Sequence, residues 1–97
     1  MVKHIVFWKI NEEFDKTTSS AEIKSRLESL SGNIPGMVHI EVGKDFNQSP
    51  VAFDVALYST FENKEALDNY QTHPLHEAVK EYIGSVTTER GVVDYEI

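Results

Sequence analysis

Residues 2–10, VKHIVFWKI, contain neither glycine nor proline and are mostly apolar on both faces of any strand they form. β-Branched and aromatic residues favour extended backbone. Strand alternation then puts Val2, His4, Val6, Trp8 and Ile10 on one side and Lys3, Ile5, Phe7 and Lys9 on the other. A strand of this kind needs something packed against each face. The chain has 97 residues, enough for one core, and a domain this small gains appreciably from a partner that covers exposed sheet.

The segments that follow say which face the chain covers by itself. TTSSAEIKSRLESLSGN opens with hydroxyl residues suited to an N-cap and repeats Ile23, Leu27 and Leu30 at helical spacing, which predicts an amphipathic helix ending near Gly32. After Pro35 and Gly36, MVHIEVGKDF alternates as a second strand with Val38, Ile40 and Val42 on one face. A turn over Asn47–Pro50 leads into a third strand, VAFDVALYSTF, with Phe53, Val55 and Leu57 on one face and Asp54, Ala56 and Tyr58 on the other. NKEALDNYQ reads as a helix with Ala66, Leu67 and Tyr70 inward. Pro74 ends it and starts another, PLHEAVKEYIGSV, with Thr72 or His73 as the cap and GVVDYEI as a last strand beyond it.

The order β-α-β-β-α-β, with the second helix split at Pro74, predicts an α+β ferredoxin-like sandwich: a four-stranded antiparallel sheet with its helices on one face. Residues 1–97 read as a single domain, without repeat, linker or low-complexity segment. Ile5, Phe7, Ala56 and Tyr58 fall on the uncovered face, so a homodimer through that face is expected.

Sixteen acidic residues against nine basic ones give a net charge of −7. With no clustered basic surface, neither nucleic acid nor an anionic membrane is expected as a partner. The absence of cysteine removes disulfides, thiolate nucleophiles and Cys-based zinc sites. No segment approaches the ~20 apolar residues of a membrane span, and the N-terminus does not read as a signal peptide, so a cytoplasmic location is expected.

The chemistry-bearing stretch is NYQTHPLH, residues 69–76. His73 and His76 stand three apart across a helix start, Tyr70 lies three residues before His73, and His4 sits on the strand face assigned to the helices. Histidine exchanges a proton near neutrality. A tyrosine hydroxyl donates a hydrogen bond to an oxygen gaining charge. Together they suit proton abstraction next to a carbonyl. The same spacing also fits a purely structural arrangement: His73 as a cap, His76 half exposed in the first turn, and Tyr70 in the core with its hydroxyl on a backbone carbonyl. No HxH or HxxxH pair exists, so neither a metal nor an organic cofactor is expected.

VKHIVFWK, IPGM, EVGKDF, YSTFENKEALDNYQTHPLHE and VVDYE together resemble the stress-responsive A/B barrel domain (Dabb) family over essentially the whole chain. The resemblance implies a protomer whose exposed sheet packs on that of a second copy, closing a dimeric α+β barrel. Plant relatives include stress-induced oligomers and a polyketide cyclase. By motif, that cyclase's base and carbonyl-holding residue look like His76 and Tyr70, with His4 and His73 around them. Val55 stands where the cyclase has a further histidine, Ile23 and Leu27 replace aromatic residues, and Trp8 replaces a smaller one, so the polyketide substrate does not carry over. Two functions follow. One is a cofactor-free enzyme or binder whose pocket is lined by His4, Val6, Trp8, Ile23, Leu27, Val55, Leu57, Tyr70, His73, His76 and Val79. The other is a non-catalytic stress-associated homo-oligomer with structural histidines.

Overall fold

A computed structural model describes residues 1–97. Four strands, β1 (Val2–Ile10), β2 (Met37–Lys44), β3 (Val55–Phe61) and β4 (Thr87–Glu96), form one antiparallel sheet in the order β2-β3-β1-β4. Three helices, α1 (Lys16–Glu28), α2 (Lys64–Gln71) and α3 (Pro74–Val86), complete the order β-α-β-β-α-α-β. The core lies between the helices and one sheet face. Val2, Val6, Trp8 and Ile10 of β1, Ile40 and Val42 of β2, and Val55, Leu57 and Phe61 of β3 pack there with Ile23, Leu27, Leu67, Tyr70, Val79 and Ile83. The other face carries Ile5, Phe7, Ala56 and Tyr58, each half-buried, with no helix over them.

Local chemistry moves several boundaries. The cap of α1 is Asp15, whose carboxylate accepts from the Thr18 N–H at 2.8 Å, so the hydroxyl residues lie inside the helix. The helix stops at Glu28, and turns continue to Gly32 and Gly36, both at φ +80°, where glycine is unstrained. A Cβ on Gly36 would sit 2.5 Å from that of Ala66, so this turn also needs the missing side chain to let the chain pass α2. β2 breaks register between Met37 and His39, which turns Val38 outward. β3 begins at Val55, not Val51. Phe53 packs its ring 5.8 Å from Phe7, on the face opposite Leu57.

β4 starts directly at the end of α3, four residues before the expected Gly91. The last helical carbonyls find partners at once: Thr87 Oγ1 donates to the Ile83 carbonyl at 2.9 Å and the Asn11 N–H to that of Val86 at 2.8 Å. This early start adds Arg90 to the sheet opposite Trp8.

Candidate functional site

The break at Pro74 is built from the C-terminus of α2. Proline occupies the first position of α3, and the His73 side chain caps that helix, its Nδ1 accepting from the Leu75 N–H at 3.1 Å. The end of α2 collects donors from the next turn and a half. The Tyr70 carbonyl accepts from the His73 N–H at 3.1 Å and from His76 Nδ1 at 3.0 Å, and the Gln71 carbonyl accepts from Lys80 Nζ at 3.0 Å.

His76 is buried, not half exposed, and its ring stacks on Tyr70 with centroids 3.8 Å apart and 16° between planes. Because a carbonyl only accepts, Nδ1 carries the proton and Nε2 keeps the lone pair. Burial lowers the His76 pKa to about 4, helped by the charge of Lys80 and by the neighbouring His4 and opposed by the Tyr70 carbonyl and Glu77. A helix C-terminus favours a cation by at most ~2 kcal/mol, while the drop corresponds to roughly 3 kcal/mol. Desolvation wins, and His76 is neutral at pH 7.

His4, on β1, is buried and donates from Nδ1 to the Asp94 carboxylate, its cross-strand partner on β4. Its backbone carbonyl accepts from Ser59 Oγ at 2.9 Å, tying β1 to β3 at this residue. Neither imidazole Nε2 has a protein partner, and neither is sealed in the interior. Tyr70 differs: it is fully buried, 5.0 Å from Phe61 and 6.1 Å from His4 by ring centroids, and its hydroxyl is the one buried side-chain polar atom without a hydrogen bond. Burial pushes its pKa upward, so the hydroxyl stays protonated.

A cavity of about 350 Å³ lies between the sheet, α1 and α3. Of the expected lining residues, His4, Val6, Trp8, Leu27, Leu57 and His76 line it. Ile23, Val55 and Val79 are core residues outside its wall, His73 is used as a cap, and Tyr70 lies beyond His76 without forming part of the wall. Sequence reasoning missed Gln71, Lys80, Ile83, Gly84, Thr87, Arg90, Val92 and Asp94. Two signals could have found most of them. His76, Lys80, Ile83, Gly84 and Thr87 follow helical spacing from His76. Arg90, Val92 and Asp94 alternate along β4 opposite Trp8, Val6 and His4. No three imidazole or carboxylate groups come together in a way that could hold a metal ion.

The model of the stress-responsive A/B barrel domain matches residues 2–97. The chain belongs to this family. A dimeric ferredoxin-like protein of unknown function from Bacteroides fragilis superposes with a TM-score of 0.89 at 33% identity, with 99% of this chain and 95% of that chain covered. An uncharacterised protein of Streptomyces coelicolor is 29% identical over 80 residues, covering 80% of this chain and 81% of the relative. The hydroxynitrile lyase of Passiflora edulis shares the family fold at a TM-score of 0.85 and 21% identity, over 99% of this chain and 92% of that one, a likeness of fold alone. No helix of this stress-responsive A/B barrel domain is long and apolar enough to cross a membrane.

Proposed function

We propose that this chain is a cofactor-free, cyclase- or lyase-like homodimer in which each protomer takes a small carbonyl compound into its cavity and removes a proton from the carbon next to the carbonyl. The observation that carries the reading is the state of His76: neutral, with Nδ1–H spent on the Tyr70 carbonyl and the Nε2 lone pair left free at a cavity. That is what a general base needs. Nε2 takes the proton, the C–H electron pair moves into an enolate, and the charge builds on the carbonyl oxygen. Tyr70, whose hydroxyl is protonated and without a partner, donates to that oxygen. To reach it the carbonyl must enter beyond the present cavity wall, alongside the His76 ring. His4, held by Asp94, orients the ligand through its free Nε2. Val6, Trp8, Leu27 and Leu57 contact its apolar body. Ile23, Val55, Val79 and the His73 cap hold the surrounding shape.

The homodimer rests on the bare sheet face with Ile5, Phe7 and Tyr58, extended by Val93 and Tyr95 of β4, and on the dimeric state given for the Bacteroides relative. The rival reading, a stress-associated homo-oligomer with structural histidines, is favoured by the position of Tyr70 outside the cavity wall.

A thermal-shift screen of β-keto thioesters and aromatic acids, repeated with His76→Ala and Tyr70→Phe, tests the enzyme reading. It expects a ligand that stabilises the wild type and is turned over, with turnover lost in both variants while they stay folded. Turnover that survives His76→Ala, or a screen without any stabilising compound, leaves the structural reading.

A further inference from the structure

The cavity has two chemically different ends. His76 on α3 and the His4–Asp94 pair form one. Eleven residues further along the chain from His76, Thr87 and then Arg90 form the other, because β4 folds back along α3 from Thr87. Along β4 the cavity-facing residues are Arg90, Val92 and Asp94, so four residues of strand, or ~13 Å at 3.3 Å each, separate the backbones of the guanidinium end and the imidazole end. Between them the wall carries Val6, Trp8, Ile83 and Val92, with Lys80 on the α3 side.

Arg90 stands apart from Lys80, the other cation of the cavity wall. Six of the nine Lys and Arg residues, Lys9, Lys16, Lys24, Arg26, Lys64 and Lys80, are paired with a carboxylate within 4.0 Å. Arg90 is not, although the chain carries sixteen acids, and it is the one unpaired cation that lines this cavity. Lys80, the other cation there, is held by Glu77 at 2.7 Å and by the Gln71 carbonyl. The nearest acid in sequence, Glu89, turns to the opposite face of the sheet and pairs with Lys9. Arg90 is exposed, at the mouth of the cavity, and its guanidinium offers a planar fork matched to a carboxylate.

We propose that Arg90 is a specificity-determining residue that binds a carboxylate on the ligand, so that the compounds taken by this cavity are keto acids with an apolar spacer: carboxylate on Arg90, ketone at His76. This rests on the reading of the cavity as a carbonyl site, and adds which carbonyl compounds it selects.

4-Acetylbenzoate and its ethyl ester test it, since they share the aromatic spacer and the ketone and differ in charge. Calorimetric titration of the wild type is expected to give at least about tenfold tighter binding of the acid, a preference that shrinks as salt is raised. R90Q removes the preference by weakening the acid far more than the ester, and R90K keeps part of it. Nuclear magnetic resonance of the His76 ring during the same titrations reports whether either compound enters the cavity. If both perturb His76 with equal affinity, or if R90Q leaves the preference for the acid intact, the role of Arg90 is overturned while the carbonyl site stands. If neither compound binds or perturbs His76, the carbonyl site fails and the Arg90 inference with it.

Discussion

The imidazole of His76 lies on the phenol ring of Tyr70, 3.8 Å away and 16° from parallel, and its Nδ1–H donates to the backbone carbonyl of the same tyrosine. One residue therefore fixes the histidine's plane and its tautomer. The stack also keeps the Tyr70 hydroxyl in the interior without a partner.

A buried hydroxyl without a hydrogen bond costs on the order of 1–3 kcal/mol. Tyr70→Phe keeps the ring, the stack and the carbonyl that holds His76. It is expected to raise stability by about 1 kcal/mol, read as a higher urea midpoint at unchanged slope, while lowering turnover of any carbonyl substrate. A lower midpoint would mean that the hydroxyl has a partner in the folded protein.

His76 predicts how stability depends on pH. Its pKa is about 4 in the folded chain and ~6.5 unfolded, so between these values the unfolded state holds a proton that the native state does not. Stability therefore rises with pH from about 4 to 6.5 and is fully present above that window. As pH falls through it, about 3 kcal/mol is lost. The carboxylates of Glu28, held low by Lys24, and of Asp15, held low by Thr18, lose their contributions at lower pH still. Denaturation of His76→Gln, which can donate to the Tyr70 carbonyl without titrating, should show the slope between pH 4 and 6.5 much reduced. An unchanged slope would show that His76 is not held neutral.

Gly84 lines the cavity from within α3, and a Cβ built there meets nothing within 4 Å. Glycine in a helix costs about 0.5–1 kcal/mol relative to alanine. Gly84→Ala should raise the melting temperature while weakening binding of the bulkiest ligands, because the added methyl enters the cavity. If it raises stability without any effect on binding, Gly84 leaves no functional room.

The open sheet face predicts a dimer. Phe7 is half-buried there beside Phe53, with Ile5 and Tyr58 next to it. Two copies meeting on it would bury roughly 1,200–2,000 Å² or more in total. Sedimentation at micromolar concentration is expected to give twice the protomer mass, and Phe7→Glu a folded monomer. A wild-type monomer would rule out this face as the interface.

Much of this architecture is written in local sequence. The alternation in VKHIVFWKI places His4, Val6 and Trp8 on the helix-covered face, and Pro74 divides α2 from α3, because both effects act over a few residues. The family is legible for the same reason: its motifs are contiguous. Sequence also brings His76 and Tyr70 within one another's reach, since they share a helix junction. It could not say that the tyrosine would stack on the histidine and keep its hydroxyl out of the cavity, nor that Phe53 would turn to Phe7. Those outcomes depend on which side chain fills the space between α2, α3 and β1, and on where β3 begins.

The least legible parts were the pairings made by the sheet. Asp94 is ninety residues from His4 and meets it only because β1 and β4 pair in one register. A shift of one residue would have turned Arg90, Val92 and Asp94 to the opposite face. Local pattern thus determined the elements and the face of β1 that the helices cover. Strand register and helix packing, which depend on the whole chain at once, decided which charged side chains meet at the cavity.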